Sequence, residues 1–97
     1  MMVLYSPQIH ETDVIEYQFE GDKITVTYNG QVDEFDFTGT PDGRAISYGR
    51  DPSIISDLPI QPVLEVVRAN GTLYVTLLNF IGHIASEEER FPEWKEV

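Results

Sequence analysis

The chain reads as an all-β domain: a small antiparallel sandwich or open barrel of five or six strands with a short C-terminal helical turn. Three observations predict this. Apolar and polar residues alternate with period two over residues 14–20 and 23–28, in stretches rich in β-branched and aromatic residues. The pairs Gly21-Asp22, Asn29-Gly30 and Asn70-Gly71 punctuate the pattern with residues that tolerate left-handed backbone. Ninety-seven residues with 41% hydrophobic and 24% charged content suit one domain around one thin core.

Residues 1–12 precede the first alternating stretch and read as an N-terminal arm. Residues 14–38 read as a three-stranded meander. A two-residue loop at Gly21-Asp22 sets Phe19 against Ile24, Tyr17 against Val26 and Ile15 against Tyr28 on one side. Asn29-Gly30 then pairs Ile24 with Phe35, and on the outer side Lys23 with Asp36. Lys23 therefore lies between Glu20 and Asp36. Asp33 falls opposite Val26 on the core side, which predicts a bulge or a strand end there.

Residues 39–62 hold three glycines and four of the six prolines and read as a long loop. Thr40-Pro41-Asp42-Gly43 is a turn in which Pro fixes φ and Gly accepts a left-handed conformation. The length of the connection leaves room for a binding loop or a short strand around residues 44–48.

Residues 63–81 form an apolar β-hairpin around Asn70-Gly71. Leu64, Val66, Leu73, Val75 and Leu77 share one face; Val63, Val67, Tyr74, Leu78 and Phe80 share the other. Two apolar faces call for burial on both sides, within the domain or against another subunit. Residues 83–97 form an acidic tail with aromatics. Ser86 and Glu89 match a capping box, and Pro92 limits the helix to a turn or two. Phe91 and Trp94 read as docking on the sheet.

Six Lys plus Arg against 17 Asp plus Glu give a net charge of −11, which excludes the usual basic groove for nucleic acid. The acids are unevenly placed: residues 1–38 carry eight against one base, residues 39–82 four against three, and residues 83–97 five against two. No cysteine is present, which excludes disulfides, thiolate metal sites and cysteine nucleophiles. No apolar run approaches the ~20 residues of a membrane span, and the opening residues lack a signal pattern.

Catalytic constellations are missing. His10 and His83 stand far apart without metal-ligand spacing, and Asp33-Glu34-Phe35-Asp36 is a strand pattern rather than a calcium loop. There is no GxSxG and no phosphate-cradling glycine loop. Glu65 sits within an apolar strand, where Arg68 or Thr76 would supply its partner. The chain is read as no enzyme and no cofactor is expected.

Two surfaces remain. One is the apolar second face of the hairpin, Val63, Val67, Tyr74, Leu78 and Phe80, extended by Phe91 and Trp94, as a subunit or partner interface. The other is the outer face of the meander, where Glu16, Glu20, Glu34 and Asp36 form a carboxylate lattice able to imitate nucleic-acid phosphates. A further option is anion capture by Arg44 and Arg50 in the long loop.

Several segments carry a resemblance: Tyr5-Ser6-Pro7-Gln8-Ile9, Leu58-Pro59-Ile60-Gln61-Pro62, the run from Gly71 through Leu73-Tyr74-Val75 to Gly82, and Glu87-Glu88-Glu89-Arg90-Phe91-Pro92-Glu93-Trp94. Together they resemble small proteins encoded in phages and prophages of Gram-positive bacteria, commonly near tail or late genes. The resemblance implies a tail-associated structural or assembly protein that works through protein–protein contacts as a homo-oligomer. Its partner would be a phage structural protein. The alternative is a small acidic inhibitor that binds the basic surface of a host defence protein. Neither reading involves direct nucleic-acid binding or a membrane. The implied setting is the cytoplasm of the bacterial host during infection, with incorporation in the virion as the other outcome.

Overall fold

Positive-φ pairs at two turns fix the hairpins on either side of the core. A computed structural model of the chain describes residues 1–10, 12–47, 54–82, 86–90 and 92–97. Asn29 (φ 46°) with Gly30 (φ 84°), and Asn70 (φ 51°) with Gly71 (φ 80°), hold successive left-handed positions that match the twist of the flanking strands. The first pair joins β3 (Lys23–Tyr28) to β4 (Gln31–Asp36), and the second joins β6 (Val63–Ala69) to β7 (Thr72–Ile81). With β2 (Ile15–Glu20), β3 and β4 make a three-stranded antiparallel sheet. Its register is the one the alternation predicts: Phe19↔Ile24, Tyr17↔Val26, Ile24↔Phe35 and Lys23↔Asp36.

The remaining strands are β1 (Met2–Ile9), β5 (Ala45–Ser47) and β8 (Lys95–Glu96). The second sheet has five strands in the order β5-β6-β7-β1-β8. Of the two readings left open for the long connection, β5 realises the short strand, at Ala45–Ser47. One row shows how the sheet makes a core: Ile46, Val66, Val75 and Val3 are direct cross-strand partners and all are buried. Ile24, Val26 and Phe35 of the smaller sheet complete the same cluster. Each fully buried aliphatic of this size contributes about 1.5–3 kcal/mol. The protein is thus an all-β sandwich of two sheets.

Three expectations are corrected. Residues 1–12 are not an arm, because Met2–Ile9 is a strand next to β7, and it runs parallel to it. The larger sheet is therefore mixed, and eight strands stand among the described residues where five or six antiparallel ones were expected. Backbone bonds at either end of β1 explain how a strand containing Pro7 is tolerated. The Met1 carbonyl accepts from Val97 N–H on the β8 side, and His10 N–H donates to the Ile81 carbonyl on the β7 side. Pro7 shares the parity of Met1, so its missing N–H faces away from β7 and removes no bond from that ladder.

The second correction concerns Val63. Pairing jumps from Glu65↔Thr76 to Val63↔Leu77, so Leu64 is an extra residue in a β-bulge. The bulge inverts the faces before it: Val63 is fully buried in the core beside Leu77, and Leu64 is half-buried. The third concerns Asp33, which lies mid-strand opposite Val26 with no bulge. The segment after β5 satisfies its carboxylate instead, through Ser56 Oγ at 2.7 Å and Asp57 N–H at 3.2 Å.

The helical turn is α1 (Glu87–Arg90). The capping box forms as predicted: Glu89 N–H donates to Ser86 Oγ at 3.2 Å, and Ser86 N–H donates to Glu89 Oε1 at 3.3 Å. No helix among the described residues is long and apolar enough to cross a membrane.

Candidate interaction surfaces

The outer face of the larger sheet is built row by row from its register. Ala45, Val67, Tyr74, Met2 and Glu96 are successive partners across all five strands. Ser47, Glu65, Thr76 and Leu4 form the neighbouring row. Val67, Tyr74, Met2 and Leu4 are each half-buried. Met2 and Leu4 escape a reading of the hairpin alone, because they come from β1. The apolar run Met1-Met2-Val3-Leu4-Tyr5 was the signal that could have placed them, as a short strand buried on both faces.

Leu78 continues the parity of Tyr74 and is half-buried; its carbonyl accepts a hydrogen bond from the Tyr17 hydroxyl of the smaller sheet. Phe80 does not belong to a free face. Its ring packs 4.9 Å from His10 and 6.2 Å from Tyr28 of the smaller sheet, at one end of the sandwich. Trp94, 43% exposed, stands edge-on to Tyr74 with ring centroids 5.4 Å apart. Such a pair contributes about 0.5–1.5 kcal/mol beyond its burial. Phe91 and His83 lie outside the described residues.

Glu65 needs no partner, since it is exposed, and Arg68 is engaged with Asp22 across the sheets. Between the tail and the strands lies a cleft of about 170 Å³, lined by Tyr5 and Asn79 on one side and Glu89, Pro92 and Lys95 on the other.

The outer face of the smaller sheet carries the acids where the alternation puts them. Its rows are Glu20–Lys23–Asp36, Gln18–Thr25–Glu34 and Glu16–Thr27–Val32. Glu16, Glu20, Glu34 and Asp36 are all exposed. Strands about 4.8 Å apart set the carboxylates of Glu20 and Asp36 on either side of Lys23. Hydrogen bonds from Thr38 hold the Asp36 carboxyl below the usual range, and Lys23 adds to this. The lattice is interrupted at Gln18 and at the exposed Val32.

A third cluster was not foreseen. Asp13 Oδ2 accepts from the Tyr28 hydroxyl at 2.6 Å, Oδ1 accepts from the Asn29 amide at 3.0 Å, and His10 Nε2 lies 3.2 Å from Oδ2. These contacts, those of Tyr28 and Asn29 foremost, hold the Asp13 carboxyl below its ordinary value. The cluster ties the end of β1 to the turn after β3. Among the described residues no group of three or more His, Cys, Asp or Glu could hold a metal ion. Arg44 already has an interaction within the chain, and Arg50 lies outside the described residues.

Comparison with protein-family profiles, curated proteins and solved structures found no match.

Proposed function

We propose that this is a non-enzymatic structural or assembly protein that acts through protein–protein contacts, as a homo-oligomer, on the outer face of its larger sheet. The observation that carries the reading is the row Val67–Tyr74–Met2, with Leu4 beside it and Trp94 exposed above Tyr74. An outer sheet face of partly accessible apolar side chains, rimmed by polar residues, suits an interaction site. Glu65 and Glu96 supply part of that rim. The resemblance to phage proteins supplies the setting: a tail-associated protein made in the cytoplasm of an infected bacterium, with a phage structural protein as partner. The test is a tagged pull-down from phage-infected cells at low and high salt, with bound proteins identified by mass spectrometry. Tail or baseplate proteins held at both salts support the reading; their absence at both overturns it.

The exposure of Glu16, Glu20, Glu34 and Asp36 on one face favours a second reading, an acidic decoy for a basic host defence protein. A host protein eluted by salt, and lost when these four become Gln and Asn, would select it.

A further inference from the structure

We propose that the C-terminal tail is exchanged between copies: residues 94–97 of one copy occupy the Tyr74–Met2 seat of a second, and the reverse, in a two-fold dimer. The inference rests on the reading that the outer face of the larger sheet is an interface, and it names the occupant.

The seat is already complementary to the tail. Val97 N–H donates to the Met1 carbonyl at 3.0 Å, Glu96 pairs with Met2, Lys95 pairs with Val3, and Trp94 lies edge-on to Tyr74. A second copy offering the same four residues reproduces every one of these contacts, so exchange requires no new surface. The seat is also short and closed to other strands. Beyond Val3 the open edge of β1 carries the ring of Pro7, which blunts it against an extended strand.

The hold of residues 94–97 on their own sheet is slight, since all four are exposed. β8 has only two residues, both exposed, and Trp94 is 43% exposed. The cleft of about 170 Å³ between Tyr5 and Asn79 on the strands and Glu89, Pro92 and Lys95 on the tail leaves the tail short of close packing. An exposed terminal segment of this kind opens locally at little cost, which gives exchange a route.

The cysteine-free chain makes the test direct. The Val97–Met1 bond places Met2 and Glu96 at a non-hydrogen-bonded antiparallel pair, with Cα atoms about 4.5 Å apart, within disulfide range. Met2→Cys and Glu96→Cys variants, carrying tags of different size, are mixed, incubated and oxidised. Exchange yields a covalent heterodimer that rises with protein concentration and exceeds several-fold the cross-linking of either variant alone. Trp94→Ala in the Glu96→Cys copy should lower that yield. The Met2→Cys/Glu96→Cys double variant controls the geometry by forming its bond in either arrangement. If the double variant closes only within single chains and the mixture gives no excess heterodimer, exchange is overturned. Light scattering separates the two readings: a dimer without the 2–96 link leaves the interface standing and removes exchange, and a monomer at every concentration removes both.

Discussion

Arg68 Nη2 lies 2.7 Å from Asp22 Oδ2, joining β6 of the larger sheet to the β2–β3 turn of the smaller one. The same guanidinium donates to the Phe37 carbonyl at 3.3 Å and the Gly71 carbonyl at 3.1 Å. Its side chain is 13% exposed, and its Nε has no partner among the described residues. One residue thus ties the turn of its own hairpin to two loops of the smaller sheet. Charge-assisted hydrogen bonds of this kind contribute about 1.5–3 kcal/mol. Arg68→Ala should therefore lower the melting temperature by roughly 10–15 °C in a domain of this size. Arg68→Lys should recover part of the loss, since an ammonium cannot span the same acceptors. Thermal denaturation of the three proteins checks this.

The two Asn-Gly turns should respond differently to the same change. Asn29 and Asn70 are both left-handed, which glycine adopts freely. Asn29 also accepts from Val14 N–H at 2.8 Å and donates to Asp13. Asn29→Gly should cost about 1–2 kcal/mol for those bonds, and Asn70→Gly less than about 0.5 kcal/mol. Equal losses in urea denaturation would contradict the arrangement.

Stability should fall on acidification, and Asp13 should carry part of the slope. Hydrogen bonds from Tyr28 and Asn29 keep its carboxyl below the ordinary range. A group depressed in the folded state contributes fully above about pH 4, and the contribution is lost as the pH falls through the folded value. A melting-temperature profile from neutral to strongly acidic pH should be flatter for Asp13→Asn than for the parent. The sign reverses for Tyr17, whose hydroxyl is pushed far up by burial and then by Tyr5. Its contribution is complete below about pH 10 and is lost at higher pH, so tyrosinate absorbance should show Tyr17 ionising only with alkaline unfolding.

Substitutions on β7 should separate core from surface. Leu77→Ala should cost about 2–5 kcal/mol, because Leu77 is fully buried in the core cluster. Val75→Asp should abolish folding for the same reason. Tyr74→Asp should leave a folded monomer and suppress association. Phe80→Asp should destabilise the fold, since its ring packs on His10 and Tyr28. Circular dichroism with light scattering distinguishes these outcomes.

Removing β1 should unfold the protein. Val3 closes the buried row that runs through Ile46, Val66 and Val75, and the whole strand pairs with β7. A chain beginning at Thr12 should lose the cooperative transition that the full chain shows in thermal denaturation.

Local chemistry made the hairpins legible. Alternation and positive-φ turns involve neighbours in the chain, so the registers of β2 with β3 and β3 with β4 followed directly, as did the capping box of α1. The acidic face followed too, because strand parity alone assigns Glu16, Glu20, Glu34 and Asp36 to one side. Tertiary structure decided what depends on distant partners. β1 lies parallel to a strand some seventy residues away, a pairing that leaves no turn in the sequence, and Pro7 disguised it. The bulge at Leu64 moved Val63 into the core, and parity cannot announce its own interruption. Arg68 found Asp22 rather than Glu65, since the packing of two sheets, rather than spacing along one strand, sets which charges meet.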